Sequence, residues 1–264
     1  MIELLINSYR GRHILKNMLI KDIKARYVGS VLGPLWSVLT PLYYILLYTF
    51  VFSTILKVRF SEEGGASSFV IYFLAGLIPW LFFSESVSRG SYAFLENGHI
   101  IKKVRFPIEV CVLNTMLSSM VSFIIYLLLY LGYLLLIGHF SINSLLYLPL
   151  PFLIQVLLII GVSLGVGSIT VFFRDITQLV PLSLNAFFFL TPIVYPVSVI
   201  PENIRWAFYL NPFYWMINIY RSILINGILP DWRQFLYPLL VSVVLFYVGW
   251  VIFKRTNEAF KDIL

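Results

Sequence analysis

Charge is what this 264-residue chain has least of. Asp, Glu, Lys and Arg together make up 12%, about half the roughly 25% of an average soluble protein. The shortage is concentrated, because none of the four occurs in 27–56, 64–84, 110–173, 176–201 or 234–253. A soluble fold needs charged residues to coat its surface, so a soluble globular domain is excluded. The single cysteine, Cys111, excludes a disulfide within the chain and a cysteine-built metal site. His13, His99 and His139 are far apart, and carboxylates such as Glu96 and Asp175 are scattered. No cluster suited to metal-assisted or general acid–base chemistry is legible in that pattern. The G-x-x-x-x-G-K-[ST] phosphate loop is missing, which excludes nucleotide binding of that kind by this polypeptide. The longest apolar run also has no Asp, Glu, Lys or Arg to mark coupling to an ion gradient. Any uphill transport therefore needs an engine on another subunit. The opening residues MIELLINSYRGRHILKN carry charge before any long apolar run, so no cleaved signal peptide is expected.

Apolar residues, by contrast, reach 60%, and each uncharged run can supply the ~20 residues of helix that cross ~30 Å of hydrocarbon. In lipid, every backbone polar group must be satisfied internally, by helices or by a closed barrel. Barrel strands would alternate apolar and polar residues. FIIYLLLYLGYLLLI (123–137) is apolar on all sides. The expected fold is an all-α integral membrane protein with spans near 31–56, 68–88, 110–137, 147–172, 178–197 and 234–253. GHFSINS (138–144) divides the long third run. With the N-terminus inside, fourteen Lys and Arg fall on the cytoplasmic side and five on the other, counting Arg221 among the five. That bias is the positive-inside pattern, and an even number of spans returns Lys254 and Arg255 to the cytoplasm. The net charge of +7 thus reports orientation and not nucleic-acid binding. The reading is one transmembrane domain over 1–264, with an interface segment 1–30, six spans within 31–253, a tail 254–264 and both ends cytoplasmic.

Two segments depart from simple spans. Around 4–28, apolar Ile14, Leu15, Met18, Leu19 and Ile23 alternate with Arg10, Arg12, Lys16, Lys21, Lys24 and Arg26. This reads as a basic amphipathic helix along the inner headgroups, or as a solvated basic tail. In 198–232 the apolar stretches are too short to span, and short re-entrant helices in the outer leaflet are expected there. Gly29-x-x-x-Gly33 and Gly161-x-x-x-Gly165, followed by Gly167, are spacings that serve close helix packing or a dimer contact.

Four stretches, in order, carry a resemblance: RYVGSVLGPLWSVLTPL (26–42), ENGHIIKKVRFP (96–107), FFRDITQLVPLSLNAFFFLTPIVYP (172–196) and IPENIRWAFYLNPFYWMINIYR (200–221). Together they resemble the membrane (permease) subunit of ATP-binding-cassette exporters of surface polysaccharides such as O-antigen and teichoic acid. The resemblance implies a homodimer in the bacterial inner membrane with two copies of a separate ATPase. This chain would hold no cofactor; ATP and Mg would sit in the partner. The cargo would be a lipid-linked polysaccharide moving among membrane lipids.

In ENGHIIKKVRFP, Asn97-Gly98 is a turn signal. Apolar Ile100, Ile101 and Phe106 sit beside Lys102, Lys103 and Arg105, so the segment can fill a groove on a partner or rest on anionic lipid. The resemblance selects docking on the ATPase. Gly33-Pro34 suits the head of a helix, with Trp36 near the inner headgroups. Pro181, Pro192 and Pro196 interrupt span five, as suits a pore wall. Trp36, Tyr43, Tyr44, Tyr48, Phe187, Phe188, Phe189 and Tyr195 are the expected channel lining, since aromatic rings match the C–H faces of sugars. Asn211, Pro212, Tyr214, Trp215 and Arg221 are the expected outer gate. Two other readings remain: an exporter of the same build for teichoic acid, capsule, drugs or lipids, and an enzyme on polyprenyl-linked sugars. The enzyme would need acidic clusters that the sequence does not offer.

Overall fold

A computed structural model describes residues 11–26, 28–48, 50, 51, 55, 66–103 and 106–264. Arg10 and Arg105 lie outside the described residues, as does the side chain of Tyr48. The longer elements are all helices: α1 (Arg12–Ala25), α2 (Trp36–Tyr48), α3 (Ala66–Glu96), α4 (Gly98–Lys103), α5 (Val110–Leu136), α6 (Ile142–Tyr147), α7 (Pro149–Phe172), α8 (Ile176–Phe189), α9 (Glu202–Tyr209), α10 (Pro212–Asn226), α11 (Trp232–Thr256) and α12 (Phe260–Ile263). Among the described residues four stretches are long and apolar enough to cross a membrane: Phe69–Glu96, Val110–Leu136, Ile142–Phe172 and Trp232–Thr256.

The other two expected spans, 31–56 and 178–197, are not among these four. α2 covers 13 residues, and most of 49–65 lies outside the described residues. The expected span 178–197 is corrected: its helix is α8, which begins at Ile176 and stops at Phe189. At ~1.5 Å per residue it is about 21 Å long. Pro192 explains the stop, since the residue before a proline avoids helical geometry and the ring cannot donate a hydrogen bond. Pro181 does not break the helix but sits inside it. The expected span 68–88 is also corrected, because α3 runs on to Glu96 and takes Arg89 out of the loop.

α3 is the axis of the bundle. In its apolar window 72% of residues are buried, against 17–33% in the other three long helices. It packs against α5, α7, α8 and α10. Side chains from three neighbours donate to its carbonyls: Tyr130 Oη to Ile71 O at 3.0 Å, Gln155 Nε2 to Pro79 O at 2.6 Å, and Arg221 Nε to Tyr72 O at 3.3 Å. Tyr220 Oη in turn donates to Gln155 Oε1 at 2.7 Å, so this buried amide has both ends engaged. Satisfied polar groups at that depth fix the register of the helices that carry them.

α7 and α11 meet backbone to backbone. A β-carbon on Gly161 would overlap the backbone of Phe246, and one on Gly165 would sit 3.2 Å from the Gly249 Cα. The 161–165 spacing is therefore packing within one chain. The 29–33 spacing is not a helical pair at all: Gly29 and Gly33 have φ of +78° and +49° and shape the turn ahead of α2. Between α8 and α11 lie the short helices α9 and α10, where short helices were expected. α10 is a core element, burying Phe213, Met216, Ile217, Ile219, Tyr220, Ile223 and Leu224.

Candidate functional site

Between α2, α3 and α8 runs a cleft of two adjoining hollows, about 320 and 230 Å³. Both are lined by Tyr44 of α2, Leu81 and Ser84 of α3, and Leu184 and Asn185 of α8. The first adds Thr40, Glu85, Ser88, Tyr126 and Pro181; the second adds Leu77, Trp80, Phe188 and Phe189. One end is thus rich in hydroxyl and amide groups, and the other is aromatic. Such a wall offers hydrogen bonds to sugar hydroxyls and flat apolar surface to sugar rings. Its one carboxylate, Glu85, is paired with Arg26 at 2.7 Å.

The structure divides the expected lining. Tyr44, Phe188 and Phe189 face the cleft. Phe187 faces the opposite way, into a separate cavity of about 590 Å³ behind α8. Tyr43 is 60% exposed and touches Tyr44 edge-on, with ring centres 5.7 Å apart. Trp36 is exposed at the head of α2. Tyr195 folds back to donate its hydroxyl to the Phe189 carbonyl. The polar lining from Ser84, Glu85, Ser88 and Asn185 was missed. Its signal was Ser84-x-x-x-Ser88 on one helical face, with Glu85 beside it.

Where α1 meets the bundle, a charged network was also missed. Arg89 Nη2 donates to both carboxylate oxygens of Asp22 at 2.6 Å, and Nη1 to Ser118 Oγ at 3.1 Å. Arg26 donates to Ser118 and Ser122 at 2.9 and 2.8 Å. α1 itself separates its faces: Ile14, Leu15, Met18, Leu19 and Ile23 are half-buried, while Lys16, Lys21 and Lys24 are exposed. Arg26 does not join the exposed basic face; it is the tether that reaches Glu85 and α5.

In the loop after α3, the Asn97 side chain donates to Ala93 O at 2.8 Å, and the Asn97 backbone carbonyl accepts from the amides of Ile100 and Ile101. The turn signal is thus a helix junction. Ile101 is buried within this chain at 1% exposure, and Gly98 packs against Leu264. Ile101 therefore does not belong to an outward docking face. Lys102 and Lys103 are exposed, and Ile100 and Phe106 are half-buried.

The expected outer-gate residues fall in two places. Asn211 caps α10, accepting from Phe213 N at 2.9 Å, and Pro212 takes the first helical position. Tyr214 and Trp215 cluster with Tyr209, ring centres 5.2–6.1 Å apart. Arg221, counted from sequence among the outer charges, is buried in the core. It lies 3.5 Å over the Tyr72 ring and donates to Tyr72 Oη, Pro192 O and Ile193 O at 2.8–2.9 Å.

A helical chain with several apolar helices of membrane-crossing length, and a polar and aromatic cleft among them, has the build of a multi-pass membrane protein. The profile of the ABC-2 type transporter family matches residues 14–225, and the chain belongs to that family. It is similar to the O-antigen export system permease protein RfbA of Klebsiella pneumoniae, 31% identical over 246 residues covering 92% of each chain. The protein of that name from Myxococcus xanthus is 30% identical over 264 residues, 99% of each chain. The polysialic acid transport protein KpsM of Escherichia coli is 24% identical over 245 residues.

Proposed function

We propose that this chain is the membrane-spanning subunit of an ATP-driven exporter of a lipid-linked surface polysaccharide, and that the α2–α3–α8 cleft is half of the polymer's path. The membership in the ABC-2 family and the relatives named for O-antigen and polysialic acid support the class. The observation that carries the path is the chemistry of the cleft: hydroxyl, amide and aromatic groups, with its single carboxylate already neutralised by Arg26. Many weak uncharged contacts let a polymer slide without being held.

In this reading six segments cross the bacterial inner membrane with both termini in the cytoplasm, and α2 and α8 of two copies face each other. Two copies of a separate ATPase bind ATP and Mg. They push on the exposed side of 97–106, through Lys102, Lys103, Ile100 and Phe106, and on α1 along the headgroups. α1 passes that push to the mouth of the cleft through Asp22–Arg89 and Arg26–Glu85, whose partners sit on α3. The Tyr209–Tyr214–Trp215 cluster forms the outer mouth.

The test is reconstitution with the cognate ATPase in sealed vesicles. Export of glycan should require ATP, and charge reversal at Lys102 and Lys103 should leave the ATPase turning over without export. Export by this chain alone would sink the reading. Stimulation of ATP hydrolysis by drugs and not by glycans would favour the exporter of small molecules.

A further inference from the structure

α8 is held at one end and borders a hollow on each of two sides. Only Phe188 of its fourteen residues is buried. Beyond the exposed Leu190, residues 191–194 are all buried. Hydrogen-bond donors account for every carbonyl from 186 to 193. Leu190 N serves Ala186 and Thr191 N serves Phe188. Thr191 Oγ1 serves Phe187 at 2.7 Å, and Tyr195 Oη serves Phe189. Asn211 Nδ2 reaches Leu190 O at 3.4 Å and Thr191 Oγ1 at 2.7 Å. Ile193 N serves Thr191, and Arg221 takes Pro192 and Ile193 at 2.9 Å each.

The end of a helix leaves carbonyls that water cannot reach inside a membrane, so an unwound segment persists there only where protein groups satisfy it. The positive guanidinium also sits where the helix dipole is negative. Gly76 leaves room for it, since a β-carbon there would stand 2.9 Å from Nη2. This corner is a fixed joint and not a floppy hinge. Towards its other end, α8 has the polar cleft on one face and the apolar cavity of about 590 Å³ on the other. Ser183 of α8 and Val241 of α11 stand on that cavity's walls.

We infer that Arg221, with Asn211, pins the C-terminal end of α8 as a pivot, and that the rest of α8 swings into the cavity behind it, widening the cleft. Arg221 acts as a positioning residue; it does not touch the cargo. The inference rests on the proposed transport role for its purpose, but the motion itself is read independently of any glycan.

The experiment uses the full complex with its ATPase in lipid vesicles, carrying Ser183→Cys with Val241→Cys. Oxidative cross-linking should run severalfold faster in one nucleotide state than in the other. Equal rates in the nucleotide-free and vanadate-trapped states would overturn the swing. Arg221→Lys keeps the charge but loses the planar fork that spans several carbonyls. Adding it should flatten the nucleotide dependence; an unchanged dependence would overturn the pivot. Val241→Trp fills the cavity from α11 without altering α8, and should leave a complex that hydrolyses ATP with severalfold less export. Full export from that variant would overturn the inference, and if it does not assemble, the cross-linking decides alone. Nucleotide-dependent trapping in a complex that still exports would uphold the swing and overturn the cleft as the path.

Discussion

The α3–α5–α7–α11 frame and the pair α2 and α8 are built on opposite principles. The frame closes backbone onto backbone at Gly161, Gly165 and Gly249, and threads polar side chains such as Gln155 and Tyr130 into satisfied positions. α8 buries one side chain, and among the described side chains of α2 only Pro41 is buried. Each of the two also has a void on its far side, about 590 Å³ behind α8 and 370 Å³ behind α2. Close packing makes an interior stiff, and thin packing marks the parts that move. In the proposed exporter, stability then rests on the frame and transport on the pair.

That separation can be broken by substitution. The largest effect on stability is expected at the joint between the two regions. Arg221→Met strips the donors from the carbonyls of Tyr72, Pro192 and Ile193, at about 1–3 kcal/mol for each buried acceptor left unpaired. The complex should fail to survive mild heating in detergent, as read by size-exclusion chromatography. Gly249→Val comes next, since the added carbon meets the Gly161 carbonyl; overpacking of this kind costs about 1–3 kcal/mol and lowers the melting midpoint. Asp22→Asn should cost about 1–2 kcal/mol, by weakening a charged pair with Arg89 that is less than one-fifth exposed, and should loosen α1 in protease digestion. Asn185→Ala, in the cleft, should shift stability by less than ~0.5 kcal/mol and yet slow export. A large loss of stability from Asn185→Ala, or none from Gly249→Val, would erase the distinction.

Much of the frame was legible because long uncharged runs have one reading in a membrane. The helices 110–136 and 149–172 follow from apolar length, and the break between them follows from polar interruption, although it spans 137–141 and the next helix already starts at Ile142. What was hidden is tertiary. Arg221 reads as an outer charge until Tyr72, Gly76 and the carbonyls of 192–193, all remote in sequence, are seen around it. Arg89 reads as a loop residue because nothing local shows that α3 runs two turns further to meet Asp22. For the site, aromatic residues drew attention to α2 and α8 and named Tyr44, Phe188 and Phe189. Helical rotation then sent Phe187 to the other face. The polar wall from α3 went unseen because serines inside a span look like ordinary packing. Ile101 looked like a docking residue for the converse reason: an apolar side chain in a basic loop can equally turn inward under the chain's own C-terminal end.

The central claim, that the glycan passes between α2 and α8, is tested most directly by tying the cleft shut. Thr40→Cys with Asn185→Cys places one thiol on each side of it. In vesicles containing the complex with its ATPase, oxidation should stop glycan export, reduction should restore it, and ATP hydrolysis should continue in both states. Export at an undiminished rate through the oxidised, fully cross-linked complex would contradict the account.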